Sequence, residues 1–140
     1  MNTSQRYIGI MSGTSMDGAD AVLIQMQQGQ WQSAIAHAFV PYSDTLKRDL
    51  LALQDCGENE LHRSQILAQQ LSHLYAQVVQ QLLQQQNLSP ADITAIGCHG
   101  QTIRHAPEQG YSIQLVDLAL LAEQTGIFTI GDFRSRDLAA

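Results

Sequence analysis

Apolar and polar positions alternate with a period of two over residues 6–12, 20–27 and 31–40, and each stretch is rich in strand-favouring side chains. Gln28-Gly29-Gln30 between the last two suits a hairpin turn, so the chain is expected to open with three antiparallel strands. Pro41 and Tyr42 end them. Ser43 or Asp44 can cap a short helix running to about Leu53, and Gly57 closes that helix or the loop after it. The period then changes. Over residues 61–86, Leu67, Leu71, Leu74, Tyr75, Val78, Val79 and Leu82 recur at steps of three and four, which predicts one long helix with a single apolar stripe. The glutamines between them are good helix formers and are expected on the solvent face.

Ser89-Pro90-Ala91-Asp92 has the spacing of a capping box with proline at the first helical position. Ile93–Cys98 reads as a short strand, and Thr102–Arg104 with Tyr111–Ile113 as a small hairpin. Residues 117–124 look helical with Gly126 as a stop, and Ile127–Ile130 is a buried strand. It runs into Gly131-Asp132-Phe133-Arg134-Ser135-Arg136-Asp137, expected to be extended, with no closing helix after it. The order of elements predicts an α/β fold: a mixed sheet with helices on its faces and sites at the strand ends.

Composition narrows the options. The chain has 140 residues, enough for one real core, with 44% hydrophobic and 14% charged residues. A formal charge of −6, with Lys47 as the only lysine, repels polyanions and argues against nucleic acid as a partner. Cys56 and Cys98 lack metal-type spacing and read as two free thiols in a reducing compartment. Asp17 and Asp20 interrupt the first apolar stretch, so no signal pattern is present, and no run reaches the roughly 18–20 apolar residues of a membrane span. A cytoplasmic, soluble protein is expected.

Three motifs carry chemistry. In Ile8–Asp20 an apolar run drops into Ser12-Gly13-Thr14-Ser15, then Asp17, Gly18 and Asp20, before a second apolar run. A glycine-bearing turn between strands can aim backbone N–H groups and hydroxyls at phosphate, and Gly13 and Gly18 are expected to supply backbone conformations closed to other residues. The two acids make sense if Mg²⁺ sits between them and the phosphate. Neither a P-loop nor a dinucleotide fingerprint is present: the Gly-Lys-Ser/Thr element is missing, and the turn returns to a strand. An elaborate hairpin turn without a ligand is the alternative. In Cys98–His105, adjacent Cys98 and His99 should point to opposite faces, which disfavours a catalytic dyad, and the histidines alone do not make a zinc site. Gln101 and Thr102 suit sugar hydroxyls. In the third motif, an extended backbone would put Asp132, Arg134 and Arg136 on one face, where Asp132 could accept from a hydroxyl and Arg134 grip a carboxylate or phosphate; the alternative is a surface ion-pair network.

Together, "GIMSGTSMDGAD", "GCHGQTIRHAP" and "GDFRSRDLAA" resemble the anhydro-N-acetylmuramic acid kinases, from about Arg6 to the last residue. The resemblance implies an actin/hexokinase-like (ribonuclease H-like) lobe, with residues 1–140 as the N-terminal lobe of a two-lobe sugar kinase whose C-terminal lobe is absent from this chain. It implies a reaction in which ATP and water open the 1,6-anhydro ring and place phosphate on O6, in peptidoglycan recycling. Gly13, Thr14, Ser15, Met16, Asp17, Gly18, Ala19 and Asp20 would hold ATP, with Mg²⁺ at Asp17 taking the place of an acid that the general fold often carries where this chain has Met11. His99, Gln101, Thr102, Asp132 and Arg134 would line the sugar side. The general base is expected beyond Ala140. A small sugar is the expected partner, with no nucleic acid or membrane, and a homodimer is left open. A non-catalytic nucleotide- or phosphosugar-binding module, and a hydrolase using Cys98 and His99, are the competing readings.

Overall fold

The computed structural model describes residues 4–140. Strands β1 (Ser4–Met11), β2 (Gly18–Gln27) and β3 (Gln30–Pro41) pair antiparallel in sequence order. Strand β4 (Ala95–Cys98) lies parallel to β1 on its other side, and β7 (Thr129–Ile130) lies parallel to β4. The resulting five-stranded mixed sheet has the order β3-β2-β1-β4-β7. A separate two-stranded ribbon joins β5 (Gln101–Ala106) to β6 (Tyr111–Leu115).

Register decides which side chains form the core. Cys98, Ile10, Ala21 and Ala38 lie in one cross-strand row, and Ile96, Ile8, Leu23 and Ala36 in the next. Both rows face the helices, because side chains of alternate residues share a face. Helices α1 (Asp44–Leu51), α2 (Glu60–Gln86) and α3 (Leu118–Thr125) contribute buried residues to the same cluster. The predicted stripe of α2 is found there: Leu67, Leu71, Tyr75, Val78, Val79 and Leu82 are buried, and Leu74 packs against them half-buried. Truncating Leu71, which is fully buried, would open a cavity costing about 2–5 kcal/mol.

Local signals hold where the chain closes on itself. Ser43 caps α1, its hydroxyl accepting from the Leu46 N–H at 3.1 Å. Asp117 caps α3 by accepting from Leu120 N–H at 2.9 Å, and Gly126 ends that helix in the left-handed region. The Ser89–Asp92 box forms, with Ser89 N–H donating to Asp92 at 2.7 Å, but the helix it starts is a single 3-10 turn, Pro90–Asp92.

Two expectations fail. The segment after β7 is not extended: it is helix α4 (Phe133–Ala139), which closes the chain's described end. Asp132, Arg134 and Arg136 therefore do not share a face, since consecutive helical residues turn by about 100°. Helices also cover only one face of the sheet. On the other, Met11 (51% exposed), Phe39 and Ile130 remain open to solvent, and Phe133 of α4 lies beside Gly97.

The ribbon is fastened to the helical layer by Arg104. Its guanidinium pairs with Glu60 at 2.6 Å and donates to the backbone oxygens of Leu53 and Asp55. The Arg104 hydrogen bond, then the Gly57 N–H, hold the Glu60 carboxyl below its ordinary value of 4.5. A carboxylate whose folded pKa is depressed stabilises the fold above its unfolded pKa and loses that contribution as pH falls through the folded value. Glu60→Gln should lower the urea midpoint at neutral pH, and the gap to wild type should close as pH drops below 4.5. Urea titrations across pH measure this; a gap that persists unchanged in acid would exclude a charge-based role.

Candidate functional site

Because β1, β4 and β7 run parallel, their C-terminal ends lie along one edge of the sheet. From that edge leave residues 12–17, residues 99–100 and residues 131–132, one piece of each motif. Ligands in open α/β sheets gather at such an edge, where backbone groups are no longer spent on the ladder.

The first segment is a tight turn closed by Met16 N–H donating to Gly13 O at 3.1 Å. Its left-handed residue is Met16, with φ of 53°, and not Gly13 or Gly18 as expected. Met16 is fully buried and anchors the turn in the core, as does Ala19 beyond it; neither side chain is open to a ligand. Gly18 is glycine for packing: a β-carbon there would lie 2.4 Å from Val40 O and 2.6 Å from the Phe39 ring. At Gly13 a β-carbon would meet only Ser15 Oγ, at 3.6 Å, so the space over that residue is open. Gly13, Thr14, Ser15 and Asp17 are the exposed residues of the turn.

Both acids of the motif already have side-chain partners. Asp17 pairs with Lys47 Nζ of α1 at 3.0 Å, and its carboxyl is held below the usual range by the Lys47 hydrogen bond, then by Ser15. Tyr42 N–H donates to Asp17 O at 2.9 Å, tying the turn to the start of α1. Asp20, in β2, sits 2.8 Å from His37 Nε2 of β3. Among the described residues, no three His, Cys, Asp or Glu side chains form a group that could hold a metal ion.

Beneath the turn is a buried polar chain that sequence reasoning missed. Ser12 Oγ lies 2.8 Å from Tyr75 OH of α2 and 2.8 Å from Tyr42 OH, and Tyr42 OH lies 2.9 Å from Gln101 Oε1. Gln101 Nε2 donates to Gly13 O at 3.2 Å and to Thr102 O at 3.3 Å. The Gln101 side chain is fully buried, so it does not line an open sugar site as expected. In the sequence Tyr42 reads only as the end of a strand, and Tyr75 only as one position of an apolar stripe. A hydroxyl inside such a stripe is the one available hint, because a buried phenol needs a partner.

The other sugar-side candidates do gather. His99 lines a cavity of about 340 Å³ with Phe133, Arg134 and Asp137. It also lines one of about 260 Å³ with Gln114, Val116 and Asp132 among others. Thr102 shares a cavity of about 410 Å³ with Thr14 and His105, which brings the ribbon against the first turn. Asp132 sits left-handed at the start of α4 and accepts from Ser135 Oγ at 2.5 Å. Arg134 Nη1 donates to Asp137 at 3.1 Å on the protein surface, a pair weak enough to exchange for a ligand carboxylate. Gln114 is an addition to the expected set: it faces the His99 cavity and donates to Thr102 Oγ1 at 3.0 Å.

Comparison with known proteins bears on this arrangement. A family model described as anhydro-N-acetylmuramic acid kinase matches residues 5–140. The chain is 71% identical over its whole length to an anhydro-N-acetylmuramic acid kinase of Neisseria meningitidis serogroup C, of which it covers 38%. It is 56% identical over 136 residues to the protein of that name from Nitrosomonas europaea, covering 37% of it. For the Chromobacterium violaceum protein of that name, identity is 52% over 134 residues and coverage 36%. The chain thus spans little more than a third of the length of the curated relatives it matches.

The two cysteines are free, Cys56 exposed and Cys98 buried in the core row beside Ile10. Burial pushes the Cys98 thiol up to about 12, which leaves almost no thiolate at neutral pH. This disfavours the Cys98–His99 hydrolase. Iodoacetamide on the folded protein should modify Cys56 alone, with Cys98 reacting only in urea; mass spectrometry of the two peptides reads the result. Fast labelling of Cys98 in the native protein would contradict its burial.

Proposed function

The chain belongs to the anhydro-N-acetylmuramic acid kinase family, and on that premise we propose that it forms the nucleotide- and sugar-facing lobe of an enzyme that opens 1,6-anhydro-N-acetylmuramic acid and phosphorylates O6 with ATP. The products are N-acetylmuramic acid 6-phosphate and ADP, and the setting is cytoplasmic recycling of peptidoglycan. No helix among the described residues is long and apolar enough to cross a membrane. Residues 1–140 act in this reading as the N-terminal lobe of a two-lobe kinase of the actin/hexokinase type, a fold compatible with the β3-β2-β1-β4-β7 sheet.

The observation that carries the proposal is the convergence of all three motifs on one sheet edge. Water attacks the anomeric carbon and loses its proton to a carboxylate outside these residues. The bond from that carbon to O6 breaks, O6 takes the γ-phosphoryl group, and ADP leaves. Gly13, Thr14 and Ser15 present backbone N–H groups and hydroxyls to the phosphates, where fixed donors stabilise charge without reorganising. His99, Thr102 and Asp132 meet sugar hydroxyls, and Arg134 exchanges Asp137 for the lactyl carboxylate, which its planar fork can grip in two places.

The donors present do not make a protein cage for a metal, but they fit an ion carried on the nucleotide. Mg²⁺ keeps several waters and takes one or two carboxylates plus phosphates. Asp17, ionised and 63% exposed beside the turn, would hold it, and the ion would neutralise phosphate charge.

Two substitutions in the intact enzyme separate the two halves of the site. Gly13→Ala should raise the KM for ATP about tenfold or more by filling the space a phosphate needs, with little change in Tm because its β-carbon meets no backbone. Arg134→Ala should raise the KM for the sugar by a similar factor and leave that for ATP unchanged. Steady-state ADP release assays measure both; an unchanged sugar KM would remove Arg134 from the carboxylate role. If the chain were a binding module alone, ATP would bind without any sugar-dependent ADP release.

A further inference from the structure

We infer that Gln101 is a positioning residue that fixes the direction of the Thr14 backbone N–H through the buried chain Tyr75–Ser12–Tyr42–Gln101, and is not a ligand of the sugar. Its consequence for nucleotide binding rests on the phosphate-loop reading proposed above; the positioning itself does not.

Proton counting orients the chain. One end of the Gln101 amide faces two carbonyl oxygens, Gly13 O at 3.2 Å and Thr102 O at 3.3 Å, which can only accept. That end is therefore the NH₂ group, and Oε1 faces Tyr42 OH at 2.9 Å. An amide oxygen has no proton to offer, so Tyr42 OH is the donor at Oε1. The same hydroxyl reaches Ser12 Oγ at 2.8 Å, so its one proton is shared between Gln101 and Ser12, and Ser12 in turn pairs with Tyr75 OH at 2.8 Å. Losing the Tyr42 hydroxyl would leave the buried Gln101 oxygen unpaired. Burial raises the pKa of both phenols, so the protons stay in place at neutral pH.

The end of the chain is Gly13 O, which accepts from Gln101 Nε2 and from Met16 N–H at 3.1 Å. Two donors thus hold this carbonyl toward the interior. No cis peptide bond is present among the described residues, and in a trans peptide the C=O and the following N–H point in opposite directions. The Thr14 N–H is accordingly turned away from the Gln101 amide, and Thr14 is an exposed residue that lines a cavity with Thr102. Gln101 has no exposed surface, and every polar atom of its side chain is engaged, so a sugar hydroxyl could reach it only by dismantling this support.

The test uses Tyr42→Phe, Gln101→Leu and Gln101→Glu. Tyr42→Phe keeps the ring and removes the hydroxyl that donates to Oε1 and bonds Ser12, at a residue 8% exposed. The first readout is the Thr14 amide resonance of the ligand-free chain in ¹H–¹⁵N spectra. The second is the set of dissociation constants for ATP and for the anhydro-sugar by calorimetry on the intact enzyme. Tyr42→Phe and Gln101→Leu should both move the Thr14 resonance and weaken ATP about tenfold, leaving the sugar constant as in wild type. Gln101→Glu should show the same loss at neutral pH, where a carboxylate cannot donate to Gly13 O. It should recover as pH falls and protonation restores a donor, a dependence absent from wild type.

A Thr14 resonance unmoved in both neutral variants overturns the inference. So does a Gln101→Leu enzyme weakened for sugar but not for ATP. If Gln101→Leu fails to fold, Tyr42→Phe decides alone. A moved resonance with wild-type ATP affinity supports the positioning role and removes the phosphate-loop reading instead.

Discussion

Parallel backbone pairing between β1 and β4 is the constraint on which the remaining structure depends. It links Tyr7–Ile10 to Ala95–Cys98, residues nearly ninety positions apart, and the whole of α1 and α2 lies between them. A parallel pair needs a crossover, and here the crossover supplies the helical layer that buries the inner rows of the sheet. The same pairing sends the first turn and the His99 segment off one edge. β7 then repeats the direction and brings Asp132 beside His99.

A site at that edge has to hold its backbone still, and the chain does so with buried polar groups. Met16 fastens one side of the turn in the core, and Ser12 and Gly13 fasten the other through hydroxyl and amide partners. A satisfied hydrogen bond contributes only about 1 kcal/mol, while an orphaned buried partner costs more. The network therefore specifies a conformation more than it stabilises one. Among the described residues, no buried side-chain polar atom lacks a partner. Around this rigid base the exposed groups are held loosely: Lys47 on Asp17, Asp137 on Arg134 and His37 on Asp20 are solvent-facing pairs. Such pairs cost little to rearrange.

The long helix, the two opening hairpins, the cap at Ser43 and the stop at Gly126 were legible because each is decided within a few residues. The mixed α/β class followed from their order. The turn at residues 12–17 was legible as a glycine-bearing connection between two strands, but its mechanics were not. Glycine looked like the residue bearing the unusual backbone, whereas Met16 bears it, because burying that side chain outweighs the cost of a left-handed φ. Gln101 looked like a ligand because it is polar in a loop-like motif. Only the tertiary structure shows that its side chain is buried and bonded to Tyr42 OH, Gly13 O and Thr102 O.

The final segment shows the same division. Asp132, Arg134 and Arg136 read as extended in sequence, yet α4 forms where Phe133 settles against the Gly97 backbone. What the sequence determined by itself was the set of elements, the family motifs and the chemistry those motifs could carry, since periodicity, capping and residue type act locally. What only the tertiary structure decided was which of those polar residues face a cavity and which are spent on support. That choice depends on partners 30 to 90 positions away, such as Tyr42, Tyr75 and Gln101 around Ser12 and Gly13, and no local pattern encodes it.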